Sequence, residues 1–231
     1  MERFGFVGLP NAGKSSLYNA LAGGGALAAP YAFATTDPNE GVARVPDNRL
    51  SLLGEMSDSQ KIVSATIQFT DIGGLVEGAA KGEGLGNRFL AGIREVDAIV
   101  FVLRAFSDND VPGPTDPVEH LRIVEVELAL ADLETTQKKL LKMEKVAKSD
   151  KSIGQILDSL KHASEQLDQG IPIYKSDLTS SERELLSDFF LLTDKPVLAV
   201  VNVGEDQVEE TNQILEPVIA ELPDQEVIGM C

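Results

Sequence analysis

Gly8-Leu9-Pro10-Asn11-Ala12-Gly13-Lys14-Ser15 is the stretch on which the reading of this chain turns. It fits G-x-x-x-x-G-K-[ST] at every position. It follows the apolar run Phe4 to Gly8 and precedes Ser16-Leu17-Tyr18-Asn19-Ala20-Leu21, a helix-compatible run. In such a strand, loop and helix, backbone amides turn inward around a polyphosphate, and the helix adds free N–H groups and the positive end of its dipole. Asn11, Ala12, Gly13, Lys14, Ser15 and Ser16 are read as lining the phosphates. Lys14 is placed to reach the terminal phosphates and the Ser15 hydroxyl to bind Mg²⁺. The alternative is a glycine-rich turn with no ligand, which requires the full motif and both flanks to coincide by chance.

Two further segments extend the reading. Thr66 to Gly74, TIQFTDIGG, sets Asp71 at the end of a strand with Gly74 three residues later. Asp71 is suited to hold a Mg²⁺-bound water, and the Gly74 amide to donate to a γ-phosphate, so Lys14 and Gly74 are the candidate catalytic groups. D-x-x-G is common by itself and gains meaning from its place after the phosphate loop. Between the two lies Phe33-Ala34-Thr35-Thr36-Asp37-Pro38-Asn39-Glu40-Gly41, rich in turn formers. One of its threonines is expected to close over Mg²⁺ when a triphosphate binds; otherwise both merely cap turns.

Outward from these motifs the chain alternates short β-like runs with helical stretches, which points to βα units around a mainly parallel sheet. Strands are expected at Phe4 to Gly8, Gly41 to Val45, Ser64 to Thr70, Ala98 to Leu103, Pro196 to Asn202 and Glu226 to Met230, with the apolar run at 197–201 reading as a central strand. Ser107 to Pro117 holds three prolines and three aspartates and reads as a mobile surface loop. Helices are expected from Val118 to about Ser149 and from Ile153 to about Leu167. Leu140, Met143 and Ala147 form a stripe on the first, and Ile153, Ile156, Leu157, Leu160 and Leu167 one on the second. Facing stripes across a short connection make an antiparallel helical arm; two ordinary surface helices are the other reading. A last helix before the strand at 196–202 is expected to start near Ser181, which with Glu184 forms a capping box.

The 231 residues carry a net charge of −17, with 43% hydrophobic and 25% charged residues. That composition belongs to a globular protein with a sizeable core, and the acidic balance argues against a general nucleic-acid coat protein and against sequence-specific DNA binding. No apolar run approaches the ~20 residues of a membrane span, the opening MERFGFVGLP is no signal peptide, and the only cysteine is Cys231. A cytoplasmic location is the expectation. Charge is uneven, however. Lys138, Lys139, Lys142, Lys145, Lys148 and Lys151 are opposed locally only by Glu144 and Asp150, whereas no Lys or Arg follows Lys195. The lysine face is either a contact for polyanions such as RNA or a solvated helix surface.

The three motifs, together with Lys81-Gly82-Glu83-Gly84-Leu85-Gly86-Asn87-Arg88-Phe89-Leu90 and the phrase ELALADLE at 127–134, closely resemble the YchF subfamily (Obg-like ATPases) of the Obg-related P-loop GTPases. The resemblance spans essentially the whole chain. It implies an α/β P-loop NTPase G domain, a mixed and mainly parallel six-stranded sheet flanked by helices, with an inserted antiparallel helical arm. The expected division is 1–127 and 179–231 for the G domain and 128–178 for the arm. Thr35 falls on the family's Mg²⁺-binding threonine. Asn11 resembles the asparagine with which some related enzymes help bind K⁺. A translation-associated family implies the ribosome or RNA as partner for the arm tip at Lys138 to Lys151. Family members continue past this point with a base-pocket loop and a small TGS domain, so the resemblance implies a chain cut short at Cys231.

Base recognition departs from ordinary GTPases. In those, N-K-x-D follows the fifth strand and its aspartate accepts from guanine N1–H and the N2 amino group; here the aligned residues are Asn202-Val203-Gly204-Glu205. Members with N-x-x-E are similar and prefer ATP, so Asn202, Val203 and Glu205 are read as the base side of an ATP site, with GTP kept open by Asp206. Many GTPases orient the attacking water with a glutamine after the D-x-x-G glycine; here it is Leu75, which has nothing to offer. The histidine that the subfamily often carries after the fourth strand is also missing from 107–117. Hydrolysis is expected to be slow, with nucleotide-gated binding as a further reading. His120 and His162 are expected to face solvent.

Overall fold

The computed structural model describes residues 2–23, 40–72, 85–108, 110–147 and 151–231. Thr35, Gly74, Leu75 and Lys148 lie outside that set. Six strands form one sheet in the order β2-β3-β1-β4-β5-β6: β1 Arg3–Val7, β2 Glu40–Arg44, β3 Thr66–Asp71, β4 Ala98–Arg104, β5 Val197–Asn202 and β6 Glu226–Met230. All neighbours are parallel except β2, which runs antiparallel to β3. The helices are α1 Lys14–Gly23, α2 Asn48–Met56, α3 Leu85–Glu95, α4 Pro117–Ala147, α5 Gly154–Asp168, α6 Ser180–Leu186 and α7 Thr211–Glu221. The expected run at 197–201 lies inside the sheet, but next to its β6 edge rather than at its centre.

The sequence of β4, AIVFVLR, shows why it is an inner strand. Ile99, Phe101 and Leu103 pack on one face with Phe89, Leu90 and Ile93 of α3, Leu121 and Val124 of α4, and Leu215 and Val218 of α7. Val100 and Val102 pack on the other with Phe6, Phe69 and the partly buried Leu17 and Leu21 of α1. Each fully buried aliphatic or aromatic side chain contributes roughly 1.5–3 kcal/mol. Covering on both faces is why the run is continuously apolar.

Asp116 accepts from Val118 N at 2.9 Å, and Pro117 takes the first helical position, so α4 begins one residue before the sequence reading places it. At 31 residues it is roughly 45 Å long. Its first half lies on the sheet, and the sheet core continues through Leu128 and Ala131. Farther along, Ala129 and the partly buried Leu133, Leu140 and Met143 pack with Leu160, Ala163 and Leu167 of α5. At the root, Asp132 is fully buried. Its carboxylate accepts from Leu192 N at 2.9 Å, Thr193 N at 2.7 Å and Thr193 Oγ1 at 2.7 Å, while Thr193 Oγ1 accepts from Ile173 N. Burial pushes Asp132 up to about 6, against the pull of those donors.

Several sequence expectations change. The capping box of α6 uses Thr179 and Glu182, two residues before the expected pair, because Glu182 reaches back to Thr179 N. His120 is 1% exposed and His162 is bracketed by carboxylates, so neither is a simple solvent-facing side chain. His162 Nδ1 meets Glu182 Oε1 and Nε2 meets Asp177 Oδ1, both at 2.9 Å, which ties α5 to the start of α6. The Glu182 hydrogen bond, foremost, raises the imidazole pKa; that of Glu182 is held down to about 2, chiefly by His162 and then by Thr179. Burial lowers the pKa of His120.

Truncating Asp132 to alanine leaves three donors in the core without their acceptor. It is expected to cost about 3 kcal/mol, read as a lower urea midpoint at unchanged m value. The pH response of the two histidines separates by sign. The raised His162 stabilises fully below its ordinary value of 6.5 and loses that effect as pH climbs through its folded value. The depressed His120 stabilises above 6.5 and loses that effect on acidification. His162→Gln is therefore expected to make the fall in Tm from about pH 7.5 to about pH 5.5 steeper than in the unsubstituted chain, as calorimetry at both pH values will read.

Candidate nucleotide site

Parallel pairing brings the ends of β1, β3, β4 and β5 to one edge of the sheet. Phe6 is in register with Asp71, Val7 with Phe101, and Arg104 with Asn202. The 8–15 loop leaves β1 at this edge, beside the point where the chain switches from one half of the sheet to the other. The opposite edge offers a hollow of about 280 Å³ between Tyr174, Lys175 and Ala220 to Gln225, ahead of β6 and remote from the motif residues.

Within the loop, Asn11 and Gly13 hold positive φ angles of 62° and 98°. Asparagine tolerates the left-handed region and glycine does so freely. A Cβ at Gly13 would also lie 2.3 Å from Asn202 Nδ2, so any other residue would be strained at this φ and would displace Asn202 from the loop. Ala12 is buried, its carbonyl accepting from Asn202 Nδ2 at 3.1 Å, and the first helical bond runs from Leu17 N to Gly13 O. Lys14 is 6% exposed, with Nζ donating to Gly8 O at 3.1 Å and Leu9 O at 2.8 Å. Ser15 and Ser16 stand exposed on the first turn of α1. The six loop residues named from the sequence thus lie together at the head of α1, with Asn11, Ser15 and Ser16 exposed and Ala12 and Lys14 buried.

The base-side candidates divide. Asn202 bridges to the loop, whereas the Val203 side chain is buried in the sheet core and its N–H donates to Met230 O at 2.8 Å, leaving its side chain out of the site. Glu205 opens a 3₁₀ stretch, Glu205–Glu210, and is exposed. Asp206 folds back over its own turn: a Cβ at Gly204 would sit 2.5 Å from Asp206 Oδ1. Gly204 N donates to Gln207 Oε1, which fixes the turn. Asp71 ends β3 at the same edge, and Thr35 and Gly74 lie outside the described residues. Among the described residues no group of three or more His, Cys, Asp and Glu side chains is spaced to hold a metal ion.

Sequence reasoning missed Arg104 and misread the loop after it. Arg104 is 1% exposed, and its guanidinium donates from Nε to Phe106 O at 3.0 Å, from Nη1 to Pro112 O at 3.2 Å and from Nη2 to Val111 O at 3.0 Å. It also lies 4.5 Å from the Phe106 ring centroid. Asn11 Nδ2 donates to Pro112 O at 3.4 Å, and His120 Nε2 lies 2.7 Å from Pro114 O. The described part of 107–117 is therefore fastened from three sides and is not the loosely held loop that its composition suggests. The available signal was an arginine ending an otherwise apolar strand.

Known proteins align with this geometry. The family model described as 50S ribosome-binding GTPase matches residues 3–202. The ribosome-binding ATPase YchF of Bacillus subtilis is 45% identical over 210 residues, which is 89% of this chain and 57% of that protein. The protein of the same description from Haemophilus ducreyi is 42% identical over 233 residues, 98% of this chain and 64% of that protein. The structure of the Schizosaccharomyces pombe YchF GTPase superposes with a TM-score of 0.82 at 32% identity, over 99% of this chain and 65% of that one. The chain thus spans less than two thirds of the length of these relatives. With a glycine-rich loop leaving β1, the G-domain strand order and a sequence match over most of its length, the chain belongs to the 50S ribosome-binding GTPase family, in its YchF subfamily.

Proposed function

We propose that this chain is a Mg²⁺-dependent nucleoside triphosphatase of switch type that binds ATP in preference to GTP, hydrolyses it slowly and works on the ribosome in the cytoplasm. The observation that carries the reading is the 8–15 loop, built on left-handed Asn11 and Gly13 at the head of α1 and tied to the end of β5 by Asn202. Amides of Ala12 to Ser16 and the α1 dipole receive the phosphates. Lys14 exchanges its loop carbonyls for the terminal phosphate oxygens, placing its charge where negative charge grows as the β–γ bond breaks. Ser15, Thr35 and Asp71 offer only oxygen, a donor set that would suit Mg²⁺, which would neutralise phosphate charge there. The Gly74 amide supports the γ-phosphate. Asn11 is the candidate K⁺ contact, to be tested by rates in K⁺ against Na⁺.

Preference for ATP rests on Glu205. Its carboxylate stands one carbon farther from the backbone than the aspartate that pairs with guanine, and Asp206 is turned onto Gly204. A guanine edge left unpaired in a pocket is discriminated against strongly. Leu75 supplies no group to orient water, which favours slow turnover and a second reading in which the bound triphosphate gates partner binding and hydrolysis is incidental. For the partner, Lys138, Lys142 and Lys145 are exposed along α4 on the side away from the packed Leu140 and Met143, although Lys138 pairs with Glu134, and the exposed Lys139 has its Nζ 5.3 Å from the Phe189 ring centroid. Such a face meets phosphate backbones without reading sequence.

Calorimetry with ATP, ADP, GTP and GDP in the presence of Mg²⁺ is expected to give ATP at least about tenfold tighter than GTP, and Lys14→Ala is expected to weaken ATP by a similar factor or more. Equal affinity for both triphosphates would replace the ATP reading with a GTPase of the same fold. Ribosome pelleting is expected to fall with salt, and to fall at fixed salt when Lys138, Lys142 and Lys145 are changed to glutamate. Unchanged pelleting of that variant would remove the arm as the contact.

A further inference from the structure

We propose that Arg104 is a positioning residue for the nucleotide site, acting through the Pro112 carbonyl on Asn11 of the phosphate loop. The inference rests on the nucleotide reading above. Arg104 ends β4, where the parallel register sets it beside Asn202, and its guanidinium is among the largest fully buried side chains of the described chain. Among the described residues its charge has no carboxylate partner; three backbone carbonyls and the face of Phe106 take its place. Burying a cation is costly, and carbonyl dipoles offset that cost only when the fork geometry is met. All three carbonyls belong to one segment, 106–112, so satisfying the guanidinium fixes that segment's path.

The consequence appears at Pro112. Its carbonyl has two lone pairs; one faces Arg104 Nη1 at 3.2 Å, and Asn11 Nδ2 reaches the same oxygen at 3.4 Å. By holding the Pro112 carbonyl in place, Arg104 fixes where the second lone pair meets Asn11. Asn11 therefore has its amide oriented by a residue 93 positions away whose three hydrogen bonds all go to the segment after β4. Asn11 is exposed and held at φ 62°, a conformation with little local support, so this side-chain anchor fixes the point where the loop turns. From the far side, His120 in the first turn of α4 holds Pro114 O at 2.7 Å. The segment is a strap with its middle on the phosphate loop, its start on β4 and its end on the helix that becomes the arm.

A double-mutant cycle with Arg104→Gln and Asn11→Gly tests this, because glycine keeps the left-handed backbone and removes only the amide. Each single variant is expected to weaken ATP binding by about tenfold and the double variant no further, with the loss for Arg104→Gln entering KM more than kcat. Independent losses that multiply in the double variant would overturn the proposal, as would Arg104→Gln binding ATP like the unsubstituted chain. If Arg104→Gln shows no cooperative unfolding transition, Arg104→Lys carries the same cycle, since it keeps the charge and loses the fork. Binding is compared well below each variant's Tm, where a merely structural role leaves affinity unchanged. Failure of the unsubstituted chain to bind ATP or GTP would sink the nucleotide reading itself, which no behaviour of the Arg104 variants does.

Discussion

Everything at the candidate site depends on the parallel register of β1, β3, β4 and β5. A parallel sheet delivers every strand's carboxyl end to the same edge, so residues 8–15, 71, 104 and 202, far apart along the chain, become neighbours without any direct preference for one another. Two bonds then convert proximity into geometry. Asn202 donates to Ala12 O from the β5 side, and Asn11 donates to Pro112 O toward the segment that follows β4. The phosphate loop is thus held at adjacent residues by structures on two different strands, and local sequence alone does not set its shape.

The second dependence is at the arm root. α4 serves two cores in succession, with Leu121, Val124 and Leu128 on the sheet and Leu133, Leu140 and Met143 against α5. Between the two cores α4 is anchored by the buried Asp132. The carboxylate collects the N–H groups of the 192–194 turn, and Thr193 passes the connection to Ile173, where the arm returns. An apolar residue there would leave the turn's donors unpaired, a penalty as large as the net worth of several ordinary hydrogen bonds.

Much of this architecture was legible in the sequence because the signals were periodic or local. All six strands were expected within two residues of their observed bounds, since apolar runs such as VLAVV are set by burial on both faces. The phosphate loop was legible because its glycines answer a local steric demand. What was not legible depended on contacts distant in sequence. His120 read as a surface residue because nothing in DPVEH signals that the Pro114 carbonyl meets it; Arg104 read as a strand end because its acceptors are backbone carbonyls, which carry no residue identity. The α6 cap was missed by two positions because SSERE beside Thr179 offers overlapping boxes, and only packing selects Glu182, which also meets His162.

Charge follows the same division between local and distant causes. The net −17 is an average over a lysine-bearing arm and a segment after Lys195 with no cation at all. Acidic residues at 205–210 follow the end of β5, at the edge of the sheet that carries the loop, and would disfavour a polyphosphate there if unscreened. The loop offsets this with short-range elements that distant carboxylates reach only weakly: buried Lys14, the α1 dipole, and amides fixed by the turn at Asn11 and Gly13. A loop built from fixed amides and one buried cation keeps its local field in an acidic surround, and the exposed lysines of α4 form a separate positive surface.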